Sequence, residues 1–479
     1  MPSLLASLLT SSSALNAFDQ ALQVTQNNVA NANTPGYVKQ SLVLEAMPFD
    51  IETGATGGVR AGQIQSARDQ YAEQAVRQQN TLLGQSQQNV TSLTAIQSLF
   101  DVTGKSGIPA ALTSLYASFS AWTQSPTDTL AQQNVLDSAG SVATAFQQTA
   151  NALSNVSSQT DQQLKQTVSQ VNDLVTQLQG YNVQALRGDK SDPALDAQVN
   201  STLEQLSQYI NFTALQQSDG SVTVLLNGQT PLLVADHQYQ ISYQPAQPDA
   251  TAPYPGGMLH GEIVDADGRD ITSKTTAGQL GALLNIRNVV LPSYIGDEYQ
   301  AGDLNTMAKQ FAQRVNQLLT PVDNSSGSPV QTGVPIFTYD TSDDTRVAES
   351  LAVDPTVTAG QLTPVDPGPP SVANGVPLAL SNMSTGTNPL DQIQGGSYSN
   401  FFGQMASRIG TALNDATGQQ QVQQAAVAQA KELRQQASGV SLDEEATLLI
   451  QFQRAYEANS RMITVLDQIT QDAINILQS

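Results

Sequence analysis

No cysteine occurs among the 479 residues, which excludes disulfides and thiolate chemistry together. Histidine is nearly absent as well: His237 and His260 are the only two, and neither has a second metal-type ligand at the spacing a zinc site uses. With no Gly-x-Ser-x-Gly elbow either, the sequence predicts no catalytic, metal-binding or cofactor-binding residues. Charge is scarce and one-sided. Charged residues make up 13% of the chain and leave a net charge of -22. The basic residues are scattered singly, so there is no footprint for nucleic acid or for an anionic membrane surface. No apolar run reaches the length of a transmembrane helix. No Lys or Arg precedes Lys39, and Leu4 to Leu9 is short and interrupted by Ala6-Ser7, so the start lacks the parts of a secretory signal and, taken alone, predicts a cytoplasmic protein.

Uncharged Gln, Ser, Thr, Asn and Ala fill the polar surface instead, a composition suited to neutral packing between subunits. Near the start, Leu8, Leu15, Leu22 and Val29 recur every seven residues, with Leu4, Ser11, Phe18 and Thr25 at the other heptad position. That is the narrow seam of a helix that packs on another helix. Ala30 or Asn31 should end it: Asn tolerates the left-handed geometry of a helix terminus, Pro35 pushes Thr34 to extended backbone, and Pro35-Gly36 fit the centre of a type II turn. The chain should then leave extended from Tyr37 to Leu44.

Ser441 to Leu477 carries the longest periodic run. Ser441 with Glu444 reads as a capping box, Asp443, Glu444 and Glu445 place negative charge on the first turn, and Leu449, Phe452, Tyr456, Ile463, Leu466 and Leu477 follow at heptad spacing, with Ile469, Ala473 and Ile476 widening the stripe. The N-terminal seam offers too little apolar burial to offset the backbone entropy of ordering its helix, so that helix is predicted to need the C-terminal one, itself a long helix wanting a partner, and neighbouring subunits too.

Between the ends, Gly54 to Gly62 reads as a glycine-rich loop and Ile64 to Gln88 as helix, continued from Thr91 to Phe100. Leu112 to Trp122, Leu130 to Tyr181 and Leu195 to Tyr209 have the spacing of a helical bundle. The period then changes: short strand-like runs from Phe212 to Tyr243, separated by Asp219-Gly220 and Asn227-Gly228, predict hairpins. Leu280 to Leu318 returns to helix, kinked at Pro292 and near Gly302. Val322 to Gly396 is rich in Pro, Gly, Ser, Thr and Asp, and Phe401 to Ala437 is the last helix before Gly439. Two motif-like fragments carry no weight. Gly104-Lys105-Ser106 has Leu99 where a phosphate loop needs its first glycine, and in Asp265 to Asp270 the glycine falls too early for a calcium loop.

The predicted fold class is therefore mostly α with inserted β domains. Residues 1–70 with 438–479 form a paired, coiled-coil-like terminal domain, and 71–211 with 277–321 and 397–437 a long-helix bundle. Residues 212–276 form an inserted β domain, and 322–396 a second β-rich or irregular insertion.

Asn31-Ala32-Asn33-Thr34-Pro35-Gly36-Tyr37 resembles the N-terminal signature of the axial proteins of the bacterial flagellum, and Phe452-Gln453-Arg454-Ala455-Tyr456-Glu457-Ala458-Asn459 resembles their C-terminal one. Rod, hook and junction members share both. Ser438-Gly439-Val440-Ser441-Leu442-Asp443-Glu444-Glu445 resembles the hook-associated junction members, and Arg68-Asp69-Gln70-Tyr71 and Gly278 to Leu284 are similar to further pieces of that family. The resemblance implies a non-enzymatic structural adaptor between hook and filament that self-assembles through its terminal helices. It also implies a location outside the cell, reached through the flagellum's own type III export without a cleaved signal. The partners it implies are the hook protein, a second hook-filament junction protein, further copies of the chain, and an export chaperone at the C-terminal segment. The assembly interface it implies consists of Leu8, Leu15, Phe18, Leu22, Val29, Asn31, Asn33, Thr34, Pro35, Gly36, Tyr37, Leu449, Phe452, Gln453, Tyr456, Asn459, Ile463 and Leu466. A hook or rod subunit is the alternative. An enzyme carried on such a scaffold would need an acidic or histidine pocket within 322–400, and none is legible there.

Overall fold

The structure, a computed structural model, describes residues 2–50, 55–101, 103–189, 192–323 and 330–478. In chain order, α1 (Pro2–Asn31) is followed by β1 (Gln40–Ala46), the two-residue strands β2 (Phe49–Asp50) and β3 (Ala55–Thr56), and β4 (Val59–Ser66). Then come α2 (Gln70–Gln97), α3 (Gly107–Gln124), α4 (Thr129–Gln184) and α5 (Pro193–Tyr209). The strands β5 (Phe212–Gln216), β6 (Val222–Leu226), β7 (Thr230–Val234), β8 (His237–Gln238), β9 (Ser242–Pro245) and β10 (Gly261–Val264) follow. Next are α6 (Gly278–Asn285), a π turn at Ile286–Val290, α7 (Leu291–Ile295) and α8 (Asp303–Leu319). The two-residue strands β11 (Val322–Asp323), β12 (Val330–Gln331) and β13 (Phe337–Thr338) lead to α9 (Val347–Ser350), β14 (Ala352–Val353) and α10 (Gly375–Asn382). The chain closes with α11 (Tyr398–Ser438) and α12 (Leu442–Gln478). No described helix is long and apolar enough to cross a membrane.

The chain divides into two compact units. One holds Met1–Leu83, Val171–Gln240 and Gln423–Ser479; the other holds Gly84–Gln170 and Ile241–Val422. In the second unit, α3, α4, α8 and α11 enclose a core around Phe119, Trp122, Phe146, Phe311, Tyr398 and Phe401. The Trp122 indole N–H is satisfied by the Pro126 carbonyl at 3.0 Å. Segment 330–396 wraps this core rather than standing as a sheet of its own. Besides isolated bridges at Asp366↔Val372 and Ile393↔Gly396, it forms the two-residue ladder β13–β14 and lends β12 to β11, yet buries Ile336, Phe337, Val347, Leu351, Leu362, Val376 and Leu380. Its dense Pro, Gly and Asp stop longer ladders but leave an apolar residue every few positions to face inward. Residues 324–329 of the predicted insertion lie outside the described residues.

Three further expectations change. The stretch from Gly54 to Gly62 is not a loop: Gly54 lies outside the described residues, and β4 pairs antiparallel with β1, from Gln40↔Ser66 to Ala46↔Val59. The glycine there serves close approach, since a Cβ at Gly62 would sit 2.9 Å from the Val43 carbonyl oxygen. Ile64 is therefore a strand residue, and α2 starts at Gln70, where Asp69 Oδ1 accepts from the Tyr71 and Ala72 amides. The stretch 212–276 is split. β5 to β8 form a four-stranded antiparallel sheet in the first unit, while β9 and β10 pair within the second. With β8 only two residues long, no ladder carries the meander onward. The Asn227-Gly228 turn forms as expected, both residues at positive φ, +47° and +70°.

Candidate assembly interface

Helices α1 and α12 pair antiparallel in the first unit: Phe18 meets Phe452 with ring centroids 6.5 Å apart, and Asn28 reaches Glu445 at 2.9 Å. The line of contact on α1 is not the leucine stripe. The buried positions are Ser11, Ala14, Ala17, Ala21, Thr25 and Asn28, whereas Leu8, Leu15 and Leu22 are half-buried and Val29 is 41% exposed. α1 packs on β1 and β4 as well as on α12, so its most enclosed positions take small or polar side chains and the leucines stay half-buried. This seam is as regular as the leucine one, but Ser, Ala, Thr and Asn do not read as apolar. On α12, Leu449, Phe452, Tyr456, Asn459, Ile463 and Leu466 are half-buried and Gln453 is exposed.

α1 ends at Asn31, and the turn after it is built as its residues dictate. The Tyr37 amide donates to the Thr34 carbonyl at 3.1 Å, with Gly36 at φ +78°. Asn31 Nδ2 donates back to the Asn27 carbonyl at 3.1 Å, and Thr34 Oγ1 donates to Asn31 Oδ1 at 3.1 Å. Asn33, Thr34 and Pro35 stay exposed. Gly36 is required twice, by its positive φ and because a Cβ would lie 2.3 Å from the Ala197 carbonyl oxygen of α5. Gly36→Ala is accordingly expected to cost about 2 kcal/mol or more, read as a lowered urea midpoint for the first unit.

Asn28, which sequence reasoning passed over, holds the site together. Its Oδ1 accepts from the Tyr37 hydroxyl at 2.9 Å and the Gln40 amide at 2.9 Å. Its Nδ2 donates to the Gln40 carbonyl at 2.8 Å and to Glu445 Oε2 at 2.9 Å. Every hydrogen-bonding capacity of this buried amide is used. The one signal in the sequence is that a polar residue occupies a seam position, the arrangement that fixes helix register. Glu445 is fully buried; its other oxygen, Oε1, makes no hydrogen bond and faces the Lys39 ammonium at 3.5 Å. Lys39 also pairs with Glu444 at 2.8 Å.

The segment from Ser438 to Glu445 thus docks on the turn. Ser438, buried, accepts from the Lys39 amide through its carbonyl and from the Asp69 amide through its hydroxyl, both at 3.0 Å. Gly439 is half-buried, where a Cβ would meet the Gln435 carbonyl at 2.4 Å, and Val440 is half-buried beside it. Ser441, Leu442 and Asp443 are exposed, and Ser441 Oγ accepts from the Glu444 amide at 3.5 Å.

Burial, and then the Glu445 carboxylate, push the Tyr37 hydroxyl up to about 12. Burial pulls the Lys39 ammonium down, but Glu444 and Glu445 more than offset this, leaving its pKa raised. Both folded pKa values therefore lie above the unfolded ones, so the stability these groups contribute is complete below about pH 10 and is lost as the pH rises through the folded values. The urea midpoint of the first unit should fall from pH 10 toward pH 12, and Tyr37→Phe should flatten that fall.

A second network supports the turn from below. Arg68, almost fully buried, pairs with Glu73 and with Asp196 at 2.7 Å and donates to the Gly36 carbonyl at 2.6 Å. Arg434 of α11 reaches Glu73 at 3.2 Å and Glu204 at 2.7 Å, and Lys431 reaches Glu204 at 2.7 Å. Burial raises the Glu204 carboxyl, but Lys431 and Arg434 outweigh it and hold its pKa below the usual range.

Away from α1, α12 keeps a second apolar line. Met462, Val465 and Ile469 follow each other at spacings of three and four and are 45–57% exposed.

The family model described as the flagellar hook-associated protein FlgK helical domain matches residues 93–337. Two more match the ends: flagella basal body rod protein over residues 8–37 and flagellar basal body rod FlgEFG protein C-terminal over 421–476. The chain is similar to flagellar hook-associated protein 1 of Bacillus subtilis, 27% identical over 524 aligned positions that cover 99% of each protein. It is also similar to the protein of that name from Salmonella typhimurium, 22% identical over 331 positions covering 66% of this chain and 57% of the other. Among solved structures, the flagellar hook junction protein FlgK from Burkholderia pseudomallei shares the fold with a TM-score of 0.57 and 16% identity, over 76% of this chain and 99% of that one. The chain belongs to the flagellar hook-associated protein FlgK family.

Proposed function

We propose that this chain is a structural subunit of the flagellum that joins hook to filament, and that copies assemble side by side through the paired terminal helices. The observation that carries this is the open apolar line on α12, Met462, Val465 and Ile469, which stays exposed among the described residues. A solitary globule has no use for it, whereas a ring of subunits buries it. The half-buried Leu8, Leu15 and Leu22 on α1 and the exposed Asn33, Thr34 and Pro35 of the turn belong to the same surface. The work of such a subunit is geometric, and no catalytic step enters it. It carries terminal helices shared with hook and rod subunits and differs in the units between them, so it presents one lattice to the hook protein and another to a second junction protein. Delivery by type III export places it outside the cell, with an export chaperone covering the α12 line until assembly.

Electron microscopy of a strain lacking the gene tests the reading. Hooks should persist without filaments, and unpolymerised filament protein should collect in the medium. Loss of the hooks themselves would sink it and favour a hook or rod subunit.

A further inference from the structure

The carboxylates around Arg68 are fully used. Glu73 gives one oxygen to Arg68 and the other to Arg434, Glu204 is taken by Lys431 and Arg434, and Asp196 is shared between Arg68 and the Asn200 amide at 3.1 Å. Arg77, one turn beyond Glu73 on α2, is a further cation in this cluster and makes no side-chain hydrogen bond or ion pair among the described residues. It lines a cavity of about 240 Å³ within the first unit, in the company of Ser66, Gln70, Asn200 and Gln216. Arg77 is half-buried, and burial lowers its pKa, outweighing the nearby Glu73 carboxylate.

We propose that this cavity receives the carboxylate side chain of an Asp or Glu on a neighbouring copy of the chain, with Arg77 as its counter-ion. The occupant rests on the multi-copy reading above; the anion-binding chemistry does not. A guanidinium with amide side chains beside it matches a planar carboxylate, which takes two N–H donors at once. Asp192 and Asp196 also line the cavity, but Asp196 is neutralised by Arg68 and Asp192 accepts the Ala194 amide at 2.9 Å. The chain itself is the nearest source: with 41 acidic against 19 basic residues, copies that pack together bring surplus carboxylates to every contact.

Two measurements on the full-length protein separate site from occupant. In calorimetric titration, N-acetylglutamate should give saturable heat with the parent and none with Arg77→Gln, while neutral N-acetylglutamine gives none with either. No saturable heat from the parent would overturn the site, whether or not the protein assembles. In sedimentation velocity, Arg77→Gln should weaken self-association about thirtyfold, with Arg77→Lys recovering part of the loss. Arg77→Gln should also melt no earlier than the parent, because the guanidinium has no hydrogen bond or ion pair among the described residues to lose. Heat from the parent combined with unchanged association of Arg77→Gln would overturn the neighbouring copy as occupant. Earlier melting of Arg77→Gln would show that Arg77 serves the fold instead. A parent that binds N-acetylglutamate but never self-associates would overturn the occupant and the assembly reading together, and leave the carboxylate site standing.

Discussion

Asn28→Ala is expected to destabilise the first unit by about 3–5 kcal/mol, far beyond what a polar residue near a helix end usually costs. The side chain lost is small; what it abandons is not. Glu445, fully buried, would keep only the Lys39 ammonium at 3.5 Å, and the Tyr37 hydroxyl and both backbone groups of Gln40 would lose their partners at once. Glu445→Gln should be milder, about 1–2 kcal/mol, because a neutral amide retains an acceptor for Asn28 and removes a buried charge. The two residues touch, so the double variant should fall short of the sum of the single effects by at least about 1 kcal/mol. With two compact units, a single unfolding transition is not assured, so hydrogen exchange at α1 and α12 amides is the appropriate readout. A change below about 1 kcal/mol for Asn28→Ala would mean that the helix pair does not depend on this link.

What could be read from the sequence was local chemistry. Thr34-Pro35-Gly36-Tyr37 specifies its own turn, and the structure places Gly36 at φ +78° where that turn needs it. Asn227-Gly228 does the same for its hairpin, and the long α4 follows from an unbroken apolar period. The β1–β4 pair was not legible, because its glycines look like a loop until the partner strand is known to leave no room for a Cβ at Gly62. The α1 seam was legible in part: Ser11, Phe18 and Thr25 stand at its second heptad position, but Ala14, Ala17 and Ala21 are buried too, and no hydrophobic pattern rewards so small a side chain. The deepest element of the site, Asn28 with Glu445, joins residues 417 positions apart, and nothing local to either announces the other. The ion network around Arg68 is hidden for the same reason: Arg68, Asp196 and Arg434 arrive from three separate stretches.

Val465→Asp with Ile469→Asp should abolish assembly while leaving the subunit folded. Both side chains are exposed, at 55% and 45%, and touch no core, so the melting temperature should stay near that of the parent. In an assembled ring they would be covered. Burying two carboxylates without counter-ions between apolar side chains costs several kcal/mol, enough to weaken self-association by at least about a hundredfold. Sedimentation velocity measures that loss directly, and a swimming assay should show cells carrying hooks without filaments. Gln468→Asp, exposed on the same helix but off the apolar line, supplies the control for added charge alone. Equal loss from Gln468→Asp would trace the effect to electrostatic repulsion in a chain already at -22 rather than to the apolar line. Unimpaired assembly of the double variant would leave Met462, Val465 and Ile469 without a role and would remove the reason for treating α12 as the surface on which copies meet.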